Sequence, residues 1–256
     1  MKSFIAFTKK ELIGNLRGGK VFILTGIFIL LGIMNPTVAK LTPIIMDLLA
    51  ESLEESGMSI LQIEVNALTS WAQFFKNIPM ALIAFVCMYS NIFSGEYGKG
   101  TLVLILTKGF ARYKVVLSKT TVMVLLWTAG YWLCYGVTYF GTALFWDNDT
   151  VPNIFFAGFA WWLFGIMTIS FITLFSVISK NYIGTLLITG GAIFILYLIS
   201  LLPKIALYIP TSLMYSTNLI LGIEYTDDYI KTIIIASITT IACIIASIPI
   251  FNKKQL

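Results

Sequence analysis

Residues 154–178 read IFFAGFAWWLFGIMTISFITLFSVI, a stretch without a single Asp, Glu, Lys or Arg. About 20 mostly apolar residues suffice for a helix to cross the hydrocarbon of a bilayer, so this stretch predicts a membrane span. Outward from it, five further runs have the same character: 21–39, 77–94, 120–145, 182–202 and 231–251. None carries a charge in its interior. The first is not read as a cleavable leader, because it begins at Val21 behind a basic segment and lacks a small-residue cleavage site.

The composition of the 256 residues agrees: 58% are hydrophobic and only 11% charged, with a mean hydropathy of +0.90. A soluble fold covers itself with about 25% charged residues, so lipid must be the solvent for most of this chain. Soluble secretion, nucleic-acid binding and intrinsic disorder are disfavoured. The expected fold is therefore all-α and integral to a membrane, one transmembrane domain over 1–256 with six spans. Cys87, Cys134 and Cys243 lie far apart in apolar runs, an odd number without a C-x-x-C pair, and read as buried thiols.

Lysine and arginine set the orientation. With the N-terminus inside, only Lys40, Lys76, Lys204 and Lys231 fall outside, and the other thirteen of the 17 basic residues fall inside. The positive-inside rule then places both termini in the cytoplasm. Of the acidic residues only Glu11 and Glu96 are inside. The net charge of +5 is thus a property of the inner face.

Three segments fall between the spans. Over 1–20, Ile5, Leu12 and Leu16 share a helical face opposite Lys10 and Arg17, which predicts a basic interfacial helix on the inner leaflet; a solvated basic tail is the alternative. Over 43–56, after Pro43, the apolar stripe Ile45, Leu48, Leu49 and Leu53 opposes Asp47, Glu51, Glu54 and Glu55, and reads as an outer amphipathic helix. Trp71, Phe74 and Phe75 then read as interfacial anchors at the entrance of the second span. Over 205–221, Pro210 and a run of Ser, Thr and Asn interrupt an apolar stretch. A broken, partly inserted outer hairpin is preferred over a seventh span, which would put Lys253 and Lys254 outside. Such backbone is tolerated at membrane depth only where protein or a cavity satisfies it.

Little of the chain speaks of catalysis. Gly14 to Lys20 has the G-x-x-x-x-G-K spacing of a phosphate-binding loop, but Val21 stands where Ser or Thr must hold magnesium, and no strand precedes it. With no histidine a Ser–His dyad is impossible, and no span holds the ionisable residue that ion-coupled transport commonly needs. No catalytic, cofactor-binding or metal-ligating residue is assigned. The Thr, Ser, Tyr, Trp and Asn of the spans suit helix packing and weak contacts with an amphiphile.

The loop 95–119 is more informative. It carries glycines at 95, 98 and 100, a short apolar run from Leu102 to Leu106, Gly109, and a basic stretch leading to Lys119. An apolar knob with a basic rim reads equally as a docking surface for another protein or as a helix lying flat on lipid.

This loop resembles the inner-loop signature of ABC-2 type permeases, the membrane subunits of a class of ABC transporters, with the pattern E-x-x-x-G-T-L-x-x-L-L-x-x-P-x-S-R and a Lys seven residues later. Glu96, Gly100, Thr101, Leu102, Arg112 and Lys119 match by type and spacing, and Ile105 and Leu106 fill the paired apolar positions. Gly109 stands where the pattern favours Pro, and Ala111 where it favours Ser.

The resemblance implies a multi-pass subunit of a bacterial exporter in the plasma membrane. Two copies, or one copy and a close paralogue, would form the pathway. Separate cytoplasmic ATPase subunits would bind ATP and magnesium and dock on the loop, whose coupling residues would be Glu96, Gly100, Thr101, Leu102, Leu104, Leu106, Arg112 and Lys119. Within that frame Leu102–Leu106 is expected to be the docking knob, with Glu96 paired to Arg112 or Lys119. Charge-free, aromatic-rich spans suit a hydrophobic or amphipathic cargo such as a peptide, an antimicrobial or a drug. The other classes considered are a membrane-embedded enzyme acting on lipid or peptide, and a six-span substrate-binding module of a vitamin transporter.

Overall fold

A computed structural model of the chain describes residues 2–54, 65–99, 102, 106, 107, 109–179, 181–202 and 205–254. Among these residues the regular structure is helical throughout: α1 Lys2–Arg17, α2 Lys20–Glu54, α3 Ala67–Tyr89, α4 Ser94–Lys99, α5 Arg112–Ala143, α6 Ile154–Ile178, α7 Tyr182–Ser200, α8 Thr217–Ile220 and α9 Thr226–Lys253. Six of them, α2, α3, α5, α6, α7 and α9, are long and apolar enough to cross a membrane. The chain is built as a multi-pass membrane protein.

The expected spans 154–178 and 182–202 coincide closely with α6 and α7. Elsewhere the helices outrun the apolar windows, because helix geometry does not stop where hydrophobicity does. The first span and the outer amphipathic segment, expected as separate elements, form one helix, α2, that runs through Pro36 and Pro43. The side chains beyond Met46 and residues 55 and 56 lie outside the described residues, so the acidic face is not placed. Helix α5 starts at Arg112, which draws Arg112, Lys114 and Lys119 out of the loop and into the helix.

The second span begins ten residues earlier than its apolar window. Asn66 caps α3 by accepting from the Thr69 amide at 3.2 Å. Trp71, Phe74 and Phe75 therefore sit within the helix and are buried, and the reading as interfacial anchors is corrected. Trp71 packs on Tyr135 with centroids 4.9 Å apart, Phe74 on Tyr131 at 5.9 Å, and the Trp71 indole donates to Asn148 Oδ1 at 2.8 Å. The aromatic rings supply the area that holds α3 against α5.

Polar side chains fix the register of this core. Asn77 donates to Asn35 Oδ1 at 2.9 Å, Asn35 to Thr138 at 3.0 Å, and Thr138 to the Gly32 carbonyl at 3.2 Å, so α2, α3 and α5 share one satisfied network. Helix α6 is buried along most of its length, and Gly165 lets it meet α5. A Cβ at Gly165 would stand 2.2 Å from the Trp127 ring, inside any allowed contact.

Between α7 and α9 the chain forms short 3₁₀ turns at Ala206–Tyr208 and Pro210–Tyr215, then α8. This is the broken hairpin, with no seventh spanning helix among the described residues. Its carbonyls are satisfied by side chains of its neighbours. Thr232 donates to the Leu207 carbonyl at 2.6 Å, the Trp161 indole to Met214 at 3.1 Å, and the Tyr229 hydroxyl reaches Tyr215 at 3.0 Å. Non-helical backbone supported in this way fits the requirement of a low-dielectric surround.

Candidate functional site

The end of the bundle that carries both termini also carries the signature loop. Helix α1 offers one face to it: Phe7, Glu11 and Asn15, spaced one helical turn apart. Phe7 is buried, whereas Ile5 and Leu16 of the apolar stripe read from the sequence are exposed. Two of the three stripe residues thus face away from the protein, and Leu12 is half-buried. Asn15 accepts from the Tyr89 hydroxyl at 3.2 Å and donates to the Glu11 carbonyl at 2.9 Å, tying α1 to the end of α3.

A second, small core joins the loop to this end. Phe7 of α1, Phe93, Leu102, Val115 and Val116 of α5, Val177 of α6 and Phe251 of α9 are all buried together. Phe93 packs on Phe251 with centroids 5.6 Å apart, and Phe7 on Phe110 at 4.9 Å. Leu102 is fully buried here and Leu106 half-buried. The expectation of a knob presented outward from Leu102 is therefore corrected: Leu102 anchors the loop inward. The chain covers this apolar side chain with its own rings, and the hydrophobic effect favours that over exposure. Gly100, Thr101, Leu104 and Ile105 lie outside the described residues.

Charge completes the junction. The Lys119 ammonium lies 2.9 Å from Glu11 Oε2 and 2.9 Å from Glu96 Oε1. Its side chain is only 2% exposed, and it stands 5.8 Å from the centre of the Phe93 ring. One lysine thus binds α1 to α4. The second oxygen of Glu96 is buried without a hydrogen bond. Of the two expected partners of Glu96, the structure selects Lys119.

Arg112 goes elsewhere. Its Nη1 reaches the carbonyls of Phe251 at 3.0 Å, Asn252 at 2.9 Å and Lys254 at 2.8 Å, capping α9. The expected frame of Glu96 and Arg112 is corrected accordingly. Two lysines act alike: Lys254 bonds the carbonyls of Val177 and, at 2.9 Å, Ser179 beyond α6, and Lys20 bonds the Met88 carbonyl of α3 at 3.2 Å. Cations at helix C-termini satisfy the last carbonyls and meet the negative end of the helix dipole. The basic surplus read from the sequence is in part a set of helix caps.

No family model, curated protein or solved structure matches the chain. The site therefore rests on its own geometry. Gly109, with φ of +80°, holds a left-handed turn between the loop and α5 that a side chain would strain. The segment 14–20, which mimics a phosphate-binding loop in spacing, is the end of α1, a turn and the start of α2, with no strand before it. Among the described residues no three Cys, Asp or Glu side chains converge to hold a metal.

Sequence reasoning missed Glu11, Phe7, Phe251 and Lys254 as members of the junction. The signal for Glu11 was present, since it and Glu96 are the only acidic residues that the orientation reading places inside. Nothing in the sequence marked the others. What the arrangement offers is mechanical: the loop is fixed at once to α1, α5, α6 and α9, so a force on it reaches the ends of several long helices.

Proposed function

We propose that the chain is the transmembrane subunit of an ATP-driven exporter of the ABC-2 type. In this reading two copies, or one copy and a close paralogue, form the pathway in a bacterial plasma membrane, with both termini in the cytoplasm. Separate ATPase subunits bind ATP and magnesium and dock on the loop between α3 and α5. The observation that carries the reading is the coincidence of the signature residues with the junction. Glu96, Leu102, Arg112 and Lys119 each join the loop end of the bundle to a different element. Nucleotide can move the spans only by favouring one of their arrangements over another, and a loop tied in this way can transmit that preference.

The cargo in this reading is hydrophobic or amphipathic. It is supported by a cavity of about 360 Å³ between α3, α6 and α7, with an almost wholly apolar wall that includes Leu82, Val86, Phe164, Ile193 and Phe194. With Leu102 turned inward, contacts with the ATPase fall to the rest of the loop, including Leu104.

The test is purification of the tagged full chain in mild detergent from its native host. A soluble ATPase of separate sequence should accompany it. Leu104→Asp should remove that ATPase while insertion and dimerisation persist, and Glu96→Gln should reduce coupled hydrolysis more than assembly. Full complex formation together with full substrate-stimulated hydrolysis in Leu104→Asp would overturn the docking assignment.

A further inference from the structure

At the opposite end of the bundle, the end of α7, the broken hairpin and the start of α9 enclose a cavity of about 330 Å³. Its polar wall is formed by Tyr215, Asn218, Glu224, Asp228, Tyr229 and Thr232. We propose that this cavity is a binding site for a primary alkylammonium group.

Three observations lead there. The first is negative charge with no cationic partner among the described residues. Glu224 Oε1 accepts from Asn218 Nδ2 at 3.1 Å, and Glu224 Oε2 lies against the Tyr229 hydroxyl. Asp228 Oδ2 accepts from the Tyr225 amide at 3.2 Å. Every one of these donors is neutral, and among the described residues no Lys or Arg forms an ion pair with either carboxylate. A partly buried carboxylate is costly unless paired, so two beside one cavity favour a cation within it.

The second observation is unmet hydrogen bonding. The Tyr215 hydroxyl is buried beside Ser200 and Tyr197 and makes no hydrogen bond of ordinary geometry to either. The Tyr229 hydroxyl has one hydrogen and two acceptors in reach, the Tyr215 carbonyl and Glu224, and can serve only one of them at a time. A primary ammonium brings three N–H donors. A quaternary ammonium brings none and could bond neither oxygen.

The third is the remainder of the wall. Leu201, Ala206 and Leu207 give the cavity an apolar side, suited to the carbons that carry the ammonium, and tyrosine rings favour a cation at their faces. Pockets of a few hundred Å³ with few polar groups are the common form of small-molecule sites. The ammonium can come from a free aliphatic amine or from the ethanolamine headgroup of a lipid. The site stands independently of the export reading and of any ATPase.

The experiment uses the full chain in nanodiscs of phosphatidylglycerol at fixed ionic strength, with the thermal unfolding midpoint as readout. n-Butylammonium chloride should raise the midpoint saturably, and tetramethylammonium and magnesium chloride should not. Glu224→Gln should weaken the apparent affinity by roughly tenfold, the effect of losing one hydrogen bond to a charged group. Tyr215→Phe and Asp228→Asn should each weaken it. If added phosphatidylethanolamine abolishes the butylammonium response, the lipid is the source; if the response persists, a free amine is. Absence of a saturable response, an equal response to tetramethylammonium or magnesium, or unaltered affinity in both Tyr215→Phe and Asp228→Asn would overturn the assignment.

Discussion

Glu11 of α1 and Lys119 of α5 meet at 2.9 Å in a contact that leaves the lysine side chain 2% exposed. Glu96 reaches the same ammonium at the same distance. Two acidic residues, one from α1 and one from α4, thus share one buried cation. A buried ion cluster is weak evidence for stability in itself, because desolvation offsets the attraction, but removing one member strands the others.

Lys119→Met should therefore lower unfolding stability by about 3–5 kcal/mol, the cost of stranding a buried charge. The triple variant with Glu11→Gln, Glu96→Gln and Lys119→Met should recover most of that loss. Unfolding in mixed detergent micelles measures both. A triple variant no more stable than Lys119→Met alone would show that the lysine acts by packing and not by charge.

Leu102→Ala should cost about 2–5 kcal/mol, the range for a fully buried leucine, and should loosen the loop before the spans. Limited proteolysis should cut between residues 95 and 111 faster in the variant, with helix content unchanged. Unaltered proteolysis would contradict the inward anchoring of Leu102.

Gly165→Ala places a carbon where the Trp127 ring stands, 2.2 Å from the nearest ring atom. Overpacking of this kind costs about 1–3 kcal/mol. Combined with Trp127→Leu, the cost should fall below the sum of the single changes, as expected for residues in direct contact. Strict additivity by thermal unfolding would argue that α5 and α6 do not meet there.

Orientation is open to a labelling test. In a background with Cys87, Cys134 and Cys243 replaced, Asp149→Cys should react with an impermeant thiol reagent on intact cells, and Ser3→Cys only after permeabilisation. The reverse pattern would invert the topology drawn from the lysine and arginine distribution.

Six long helices were legible in the sequence because the signal is additive and local. In 154–178 every residue contributes to the same partition energy, and the predicted limits match α6. The broken hairpin was legible for the same reason, with Pro210 and the Ser and Thr around it interrupting the run. The partner of Glu96 stayed open between Arg112 and Lys119 in the sequence, and packing selected Lys119. The limits of α3 were not legible, because its first turns are held by the Asn66 cap and by aromatic packing on α5, which hydropathy does not register.

What only the tertiary structure decided is the pairing of groups remote in sequence. Composition shows that Arg112 and Lys254 are basic and on one side of the chain, but their use as caps on α9 and α6 depends on where those helices end in space. The inward turn of Leu102 likewise depends on Phe7, Phe93 and Phe251 arriving from three other segments to cover it. Partition into lipid sums over neighbours along the chain, so the sequence determined which segments are helices long and apolar enough to cross. Hydrogen bonds and ion pairs act within a few ångströms and depend on direction, so which residues form the junction and the cavity at the opposite end was decided only when the helices were packed.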